Sequence, residues 1–600
     1  MTHHTVGDRP LVLEPGDLPL VETVPLAERS LPASTYDLLR RTATTTPDAP
    51  ALHLLGEGEE VTWSYAELLA RVHRAANLYT GLGLAAGGTV GLLLPNSGHT
   101  YAALLGAQAV GIANPVNPML ADEHIVDIFR LTKAEILVVS AALGEKAQRV
   151  AERLPGLRAL LVAGGDAVDA PGGDFERLAA EQPGDRLITS YGPGPQELAA
   201  YFHTGGTTGI PKVAPHTHAM EVYMAWALGC SGAYVGGGVA LAGLPLFHVN
   251  ALHVTGLAPF MHGASVVSLG PLGYRDKTLM AGFWRIVERY RVTAFSAVPT
   301  VYANLPPVPE GVDISSLRAG AVGAAPLPGR VRADFEQAVK VPMLEGYGLT
   351  EATCASAATP AFAPRAGSVG LRLPYQHIKA VTVDADDRPT GDCPPGRTGV
   401  LAISGPAVFP GYLGPDGPDP TGKVFDGWLV TGDLGHVDAD GYVHLTGRAK
   451  DLIIRGGHNI DPRPIEESLL AHPHVSGAAV VGRPDAHSGE VPVAYVTVTG
   501  PVAEPDLLAW AQTRASEPAA APKAVHVVEA LPTTTVGKLF KPELVADSIR
   551  RLLTELVPGH AFDVVLEDGR AVVLIGPDPN LAAALDRYPI HYRTVQGEPR

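Results

Sequence analysis

Residues 204–212 read Thr-Gly-Gly-Thr-Thr-Gly-Ile-Pro-Lys, a loop of small and hydroxylic residues that closes on a lysine. Gly205, Gly206 and Gly209 let backbone N–H groups come close to anionic oxygens. Thr204, Thr207 and Thr208 add hydroxyl donors, and Lys212 adds a positive charge. Such a loop is suited to hold phosphate. It lacks the G-x-x-x-x-G-K-[ST] spacing of the nucleotide-hydrolase loop, so a different grip on the phosphates is expected.

Further candidate segments follow along the chain. They are Gly323-Ala324-Ala325-Pro326-Leu, Glu345-Gly346-Tyr347-Gly348-Leu-Thr350-Glu351, Trp428-Leu-Val-Thr-Gly-Asp433, Gly447-Arg448-Ala-Lys450-Asp-Leu-Ile-Ile-Arg-Gly456-Gly457 and Thr533-Thr-Thr-Val-Gly-Lys538. Histidines are numerous, yet no His/Cys/Asp spacing makes a transition-metal site. His216 and His218 are two apart, unlike the i, i+4 pair of helical zinc proteases, and they read as polar helix-entry residues.

The elements that must position these residues alternate between two periodicities. Ser64-Tyr-Ala-Glu67 is a capping box opening a helix whose apolar positions Leu69, Val72, Ala76 and Tyr79 recur at helical spacing, with Gly81 and Gly83 ending it. An apolar extended run at 89–94, a helical segment at 99–110 and a short extended piece at 111–116 follow. Similar alternation, with extended runs at 240–246 and 264–269, continues to about residue 445 and predicts a layered α/β fold. Beyond it, a strand broken by two glycines near 452–459, a helix at 465–470 and strands at 477–482 and 491–498 make a second, smaller α/β unit. The tail carries a hairpin signal at Asp568-Gly569. The expected division is an N-terminal extension at 1–34 running over the surface, a large domain at 35–447, a hinge at 448–451, a mobile small domain at 452–560 and an extension at 561–600.

Composition narrows the partners. At 600 residues, with 46% hydrophobic and 18% charged residues, the chain is long enough for more than one folded core. A formal charge of −17 opposes nucleic acid, whose binding rests on clustered Lys and Arg, but it leaves room for a nucleotide held by backbone N–H groups. Three widely spaced cysteines, Cys230, Cys354 and Cys393, argue against a disulfide framework and for a reducing cytoplasm. The first residues lack the basic start and apolar run of an export signal. The uncharged stretch 222–247 is interrupted by Gly236, Gly237, Gly238 and Pro245, so it reads as buried helix, turn and core strand and not as a membrane span.

The phosphate loop and the segments after it, in this order, resemble the adenylate-forming superfamily of acyl-CoA synthetases, peptide-synthetase adenylation domains and luciferases. The resemblance spans residues 35–545 and points to the acyl-CoA synthetase branch. It implies a large AMP-binding domain and a small mobile one, with ATP, Mg²⁺ and coenzyme A as reactants. Residues 323–326 would line the adenine pocket with Glu345 and Gly346. Tyr347, between Gly346 and Gly348, would stack on adenine. Thr350 and Glu351 would meet the α-phosphate and Mg²⁺, with Glu351 as the metal-binding carboxylate. Asp433 would accept from the ribose hydroxyls, Arg448 would hold ribose or phosphate, and Lys450 would be the pivot. Lys538 would bring its ammonium to both the carboxylate and the α-phosphate. After rotation of the small domain, Gly456 and Gly457 would leave room for pantetheine.

His248 and Val249 fall at the family's acyl pocket. Adenylation domains specific for α-amino acids carry an aspartate after the phenylalanine, whereas this chain reads Phe247-His248. Ala, Val and Gly around 249–270 and 319–325 then suggest a mainly apolar carboxylic acid. Two readings stand beside the complete ligase. Gly205 replaces a serine common in relatives and Val213 a glycine, and both changes touch the phosphate loop. The chain could therefore form thioester from an adenylate made by a separate adenylating enzyme. The other reading is a non-catalytic nucleotide- or acyl-binding paralogue. A homodimer is left open.

Overall fold

A computed structural model describes the chain outside residues 1–4, 7–8, 57, 59, 166–172, 205–211, 233, 235–236, 326, 449–450, 457, 516, 535–537, 568 and 596–600. Among the described residues, the large N-terminal part builds two mostly parallel sheets of six and nine strands and a third, antiparallel one. The capping box is present. Glu67 N–H donates to Ser64 Oγ at 3.2 Å and Ser64 N–H donates to Glu67 Oε2 at 2.8 Å, starting helix Tyr65–Gly81. Strand Thr89–Leu93 is buried along its whole length, as a parallel strand covered on both faces must be. Helix Gly98–Val110 behind it is almost entirely buried as well.

The uncharged stretch at 222–247 resolves into helix His218–Gly229 and strand Val239–Ala242, both buried. Among the described residues no helix is long and apolar enough to cross a membrane. His216 departs from the expected helix entry. It lies on strand Lys212–Thr217 and is fully buried, while His218 begins the helix. Val213, on the same strand, is a core residue paired with His203.

The C-terminal part is an α/β unit of its own. Strands Val475–Asp485 and Gly489–Val498 form a long antiparallel pair flanked by Ile453–Arg455 and, in parallel, by Ala524–Val527. Helix Arg463–Leu470 packs on it through Ile465 and Leu469. Helix Lys541–Leu556 buries Leu544 against this sheet, and Ala546, Ile549 and Leu553 against the terminal hairpin Phe562–Glu567 and Arg570–Ile575. Lys541 does structural work, pairing with Glu466 Oε1 at 2.7 Å and donating to the Val480 carbonyl at 3.0 Å.

The N-terminal segment is docked rather than laid over the surface. Helix Asp17–Val21 buries Leu18 against Leu371 and Tyr442. Glu22 forms an ion pair with Arg372 and accepts from Tyr375 N–H at 2.6 Å. The apolar spacing of Leu11, Leu13, Leu18 and Val21, all buried, carries this docking, and the prolines around it conceal the pattern. Leu18→Ala should therefore destabilise the fold by about 2 kcal/mol, at the low end for a buried leucine because its cluster is small. A lowered melting temperature checks it; an unchanged one would mean the segment is undocked.

Candidate active site

Strands Val239–Ala242, Ala294–Ala297, Ala319–Val322 and Met343–Tyr347 run parallel side by side. The loops leaving their carboxyl ends therefore collect along one edge, the usual place for a ligand in such sheets. That edge carries Phe247 and His248, then Gly323, Ala324 and Ala325, then Tyr347 to Glu351. Pro326 lies outside the described residues. Ala324 takes a left-handed φ of 69°, costly for a residue with a Cβ and typical of backbone bent around a site. Gly348 has no substitute: a Cβ there would lie 1.9 Å from the Cys354 carbonyl oxygen, so the turn to Thr350 and Glu351 folds tightly only with glycine.

Asp433 organises the next corner. Gly432, with φ 79°, sits in strand Trp428–Val437 where the register against Gly399–Ser404 shifts, and this bulge re-aims the following side chain. Thr431 Oγ1 accepts from Asp433 N–H at 3.0 Å and holds the bend. Asp433 Oδ2 accepts from the Tyr347 hydroxyl at 2.8 Å, and Oδ1 pairs with Arg448 Nε at 3.1 Å. Arg448 stands directly opposite Asp433 in the neighbouring strand. Burial and the Asp433 charge raise the Tyr347 phenol far above its ordinary range.

The phosphate loop is anchored as a hairpin, with Thr204 paired to Lys212. Gly205, Gly206, Thr207, Thr208 and Gly209, between these ends, lie outside the described residues. Lys212 Nζ sits 4.8 Å above the ring of Tyr412, whose hydroxyl donates to Glu351 Oε1. The Thr350 carbonyl accepts from His216 Nε2 at 2.8 Å. The loop's end and the carboxylate expected to hold Mg²⁺ are thus joined through one tyrosine. Glu345 points elsewhere: its carboxylate pairs with Arg332 and its carbonyl accepts from Thr359 N–H at 2.8 Å. Burial nonetheless raises its pKa.

Lys538 enters from the C-terminal part on a loop closed at its neck. Thr534 N–H donates to the Lys538 carbonyl at 2.6 Å, and Lys538 N–H donates to Thr534 Oγ1 at 3.2 Å. The ammonium feels Arg448, Asp433 and Glu351 together. Burial and then Arg448 push its pKa down, against the pull of the two carboxylates, to about 8. Lys538 also acts on His248, whose pKa falls to about 3 through burial, then Lys538, then His203. His248 is therefore a neutral imidazole. Its Nδ1 accepts from Asn250 N–H at 3.3 Å, which leaves the proton on Nε2. Val249 is buried beside it.

Gly456 donates its N–H to the Ser488 carbonyl at 2.7 Å, on a hairpin that exposes Ile454. Lys450 and Gly457 lie outside the described residues. The sequence reading passed over Tyr412, signalled only by an aromatic after Pro-Gly, and His203. The latter accepts from Asn117 N–H at 3.0 Å and stacks on Phe247.

Tyr347 and Glu351 at the parallel sheet edge, Asp433 on the adjoining antiparallel sheet and Lys538 from a separate small α/β unit make one polar cluster suited to a nucleotide and an acid. Over residues 39–413 the chain matches the AMP-binding enzyme family, and over 464–538 its C-terminal domain. It is 41% identical over 588 residues to the marinolic acid–CoA ligase of Pseudoalteromonas sp., covering 94% of this chain and 88% of that protein. It is 35% identical over 459 residues to the sulfoacetate–CoA ligase of Cupriavidus necator, covering 75% and 85%. The ATP-bound MatB structure from Rhodopseudomonas palustris matches the fold with a TM-score of 0.74 at 27% identity, over 85% of this chain and 98% of that one. The chain belongs to the adenylate-forming AMP-binding enzyme family. Within it, the chain is an acyl-CoA ligase, an ATP-dependent acid–thiol ligase that uses Mg²⁺ and coenzyme A.

Gly348→Ala tests the tight turn. Displacing Thr350 and Glu351 by about 1 Å should lower adenylation roughly 10²-fold. Acid-dependent AMP formation at wild-type rate in this variant would contradict the assignment.

Proposed function

We propose that this chain converts a mainly apolar carboxylic acid to an acyl-adenylate and then to its coenzyme A thioester, both steps in one active site. The observation that carries this reading is the convergence of Lys538 with Asp433, Arg448, Glu351 and His248. In the first step a carboxylate oxygen attacks the α-phosphorus and the bond to pyrophosphate breaks. Lys538 offsets the negative charge gathering there, and Lys212 and the phosphate loop hold the leaving phosphates. Asp433 and Arg448 position the ribose, Tyr347 the adenine, and Thr350 and Glu351 the α-phosphate. Glu351 gives Mg²⁺ the hard oxygen donor it requires. The Nε2–H of His248 donates to the acyl carboxyl.

In the second step the coenzyme A thiol sulfur attacks the acyl carbonyl and AMP leaves. We assign this step to a rotated small domain, with the hinge at Lys450 between residues 35–447 and 452–560. Gly456 and Gly457 would then replace Lys538 and leave room for pantetheine. The buried side chains of Leu244, Leu246, Val249 and Leu252, close to His248 in sequence, support an apolar acyl group. Under this reading no separate adenylating enzyme is needed. The reducing cytoplasm remains the proposed compartment, consistent with Cys230, Cys354 and Cys393 forming no disulfide among the described residues.

Incubating the chain with ATP, Mg²⁺, coenzyme A and a panel of acids, and weighing the thioesters formed, tests the substrate class. Thioesters of small polar acids alone would overturn it. Lys538→Ala should abolish adenylation while coenzyme A transfer from supplied acyl-adenylate stays within about threefold of wild type, because Lys538 leaves the site before that step. Equal loss of both steps would contradict the two-position scheme. The catalytic form of Lys538 is the ammonium, present below its pKa and lost as pH rises through about 8. Adenylation kcat/KM should therefore fall about tenfold per pH unit above that value. An unbroken rise to pH 10 would remove Lys538 from that role.

A further inference from the structure

Histidines that are unrelated in sequence spacing meet in the interior. His216 lies on strand Lys212–Thr217, Glu221 on helix His218–Gly229, and His253 opens the π-helical turn His253–Leu257. All three side chains are 0% exposed. His216 Nδ1 is 3.6 Å and His253 Nε2 is 3.8 Å from the same oxygen, Glu221 Oε1. The three atoms lie within 4.8 Å of one another.

Counting protons decides what this cluster can be. His216 Nε2 is 2.8 Å from the Thr350 carbonyl oxygen, and His253 Nδ1 is 2.8 Å from the Val249 carbonyl oxygen. A carbonyl only accepts, so each of these nitrogens carries a proton. In a neutral imidazole the other nitrogen then presents a lone pair, and in both residues that nitrogen faces Glu221. Glu221 Oε2 accepts from Gln108 Nε2 at 2.8 Å, and Oε1 of a carboxylate offers only lone pairs. His216 Nδ1, His253 Nε2 and Glu221 Oε1 have no hydrogen-bond partner among the described residues.

Three buried lone-pair atoms facing one another need a cation between them. A proton fits poorly, since 3.6 and 3.8 Å exceed the roughly 2.7–3.2 Å of an N–H···O bond. A metal ion about 2.0–2.2 Å from each ligand holds such atoms roughly 3–4 Å apart, in line with the 3.6 and 3.8 Å from each imidazole nitrogen to Glu221 Oε1. Each histidine also has its far nitrogen tied to a carbonyl, the outer bond that orients metal-binding imidazoles. The Phe202 ring, 5.1 Å from that of His216 and 6.3 Å from that of His253, lines one side.

We propose that His216, Glu221 and His253 bind a divalent transition metal ion of the zinc class. Two imidazoles and a carboxylate suit such an ion and not Mg²⁺, which demands oxygen donors. The ion neutralises Glu221 and clamps the strand leaving the phosphate loop to the turn behind the acyl pocket. Through His216 it also fixes the Thr350 carbonyl, next to Glu351. These are positioning residues, and the ion touches no reacting atom.

The test uses the full chain, purified without chelators or a metal-affinity tag. Elemental mass spectrometry should find about one zinc-class ion per chain, and Co²⁺ added to chelator-treated protein should give visible d–d bands of protein-bound cobalt. Glu221→Gln should lower metal content at least about tenfold, with circular dichroism unchanged; His253→Gln should do the same. Should both variants fail to fold, wild-type metal content and the cobalt spectrum still decide. Wild-type protein with neither stoichiometric metal nor cobalt bands overturns the proposal, as does metal content unaffected in a folded Glu221→Gln protein. An imidazolium at His216 or His253 in ¹⁵N spectra of the wild type would identify a shared proton in place of the ion.

Discussion

The site depends on one carboxylate. Asp433 is only 13% exposed, and it is satisfied by donors from different parts of the chain. Tyr347, from the end of the parallel sheet, and Arg448, from the strand that runs toward the C-terminal part, supply the donors, while Thr431 Oγ1 accepts from the Asp433 backbone N–H and holds the bulge. A buried carboxylate without partners costs several kcal/mol, so these pieces must close together. Arg448 is 54% exposed, and its own contribution is correspondingly screened. The Tyr347 hydroxyl bond, out of water, is the more demanding of the two. Through it the antiparallel sheet is registered against the edge where the nucleotide is proposed to lie.

Lys538 is the conditional part of this assembly. Burial and Arg448 both disfavour its ammonium, while Asp433 and Glu351 favour it less strongly, so its pKa settles well below that of a free lysine. A cation held against its preference is poised for more negative charge, which ATP brings. On the proposed scheme, departure of pyrophosphate removes that charge. The closed position then loses support when the small domain has to turn. On the same scheme, the change in charge around Lys538 favours rotation in that direction.

Much of the fold was legible because local rules and the tertiary structure agree. The Ser64 to Glu67 capping box starts its helix, the uncharged stretch after Val222 is buried helix and strand, and the broken strand near Ile453 leads into the small sheet. The misreadings come from contacts distant in sequence. Val213 stood out only as a replacement touching the phosphate loop, and its place in the core of the paired strand shows only in the packing. His216 looked like a helix entry because its partners, Glu221 and His253, reveal themselves only when three elements pack. Tyr412 reaches Glu351 across 61 residues, and no spacing rule announces that bond. The docked N-terminal segment was hidden by its prolines, although its leucines carried the signal.

The central claim is that the cluster around Asp433 and Lys538 makes adenylate in this chain. Acid-dependent exchange of labelled pyrophosphate into ATP reads that step alone, without coenzyme A or domain rotation. The account predicts brisk exchange with an apolar acid, run beside transfer to coenzyme A from the synthetic adenylate of the same acid. Transfer without exchange would contradict it, and would leave the chain as the thioester-forming partner of another enzyme.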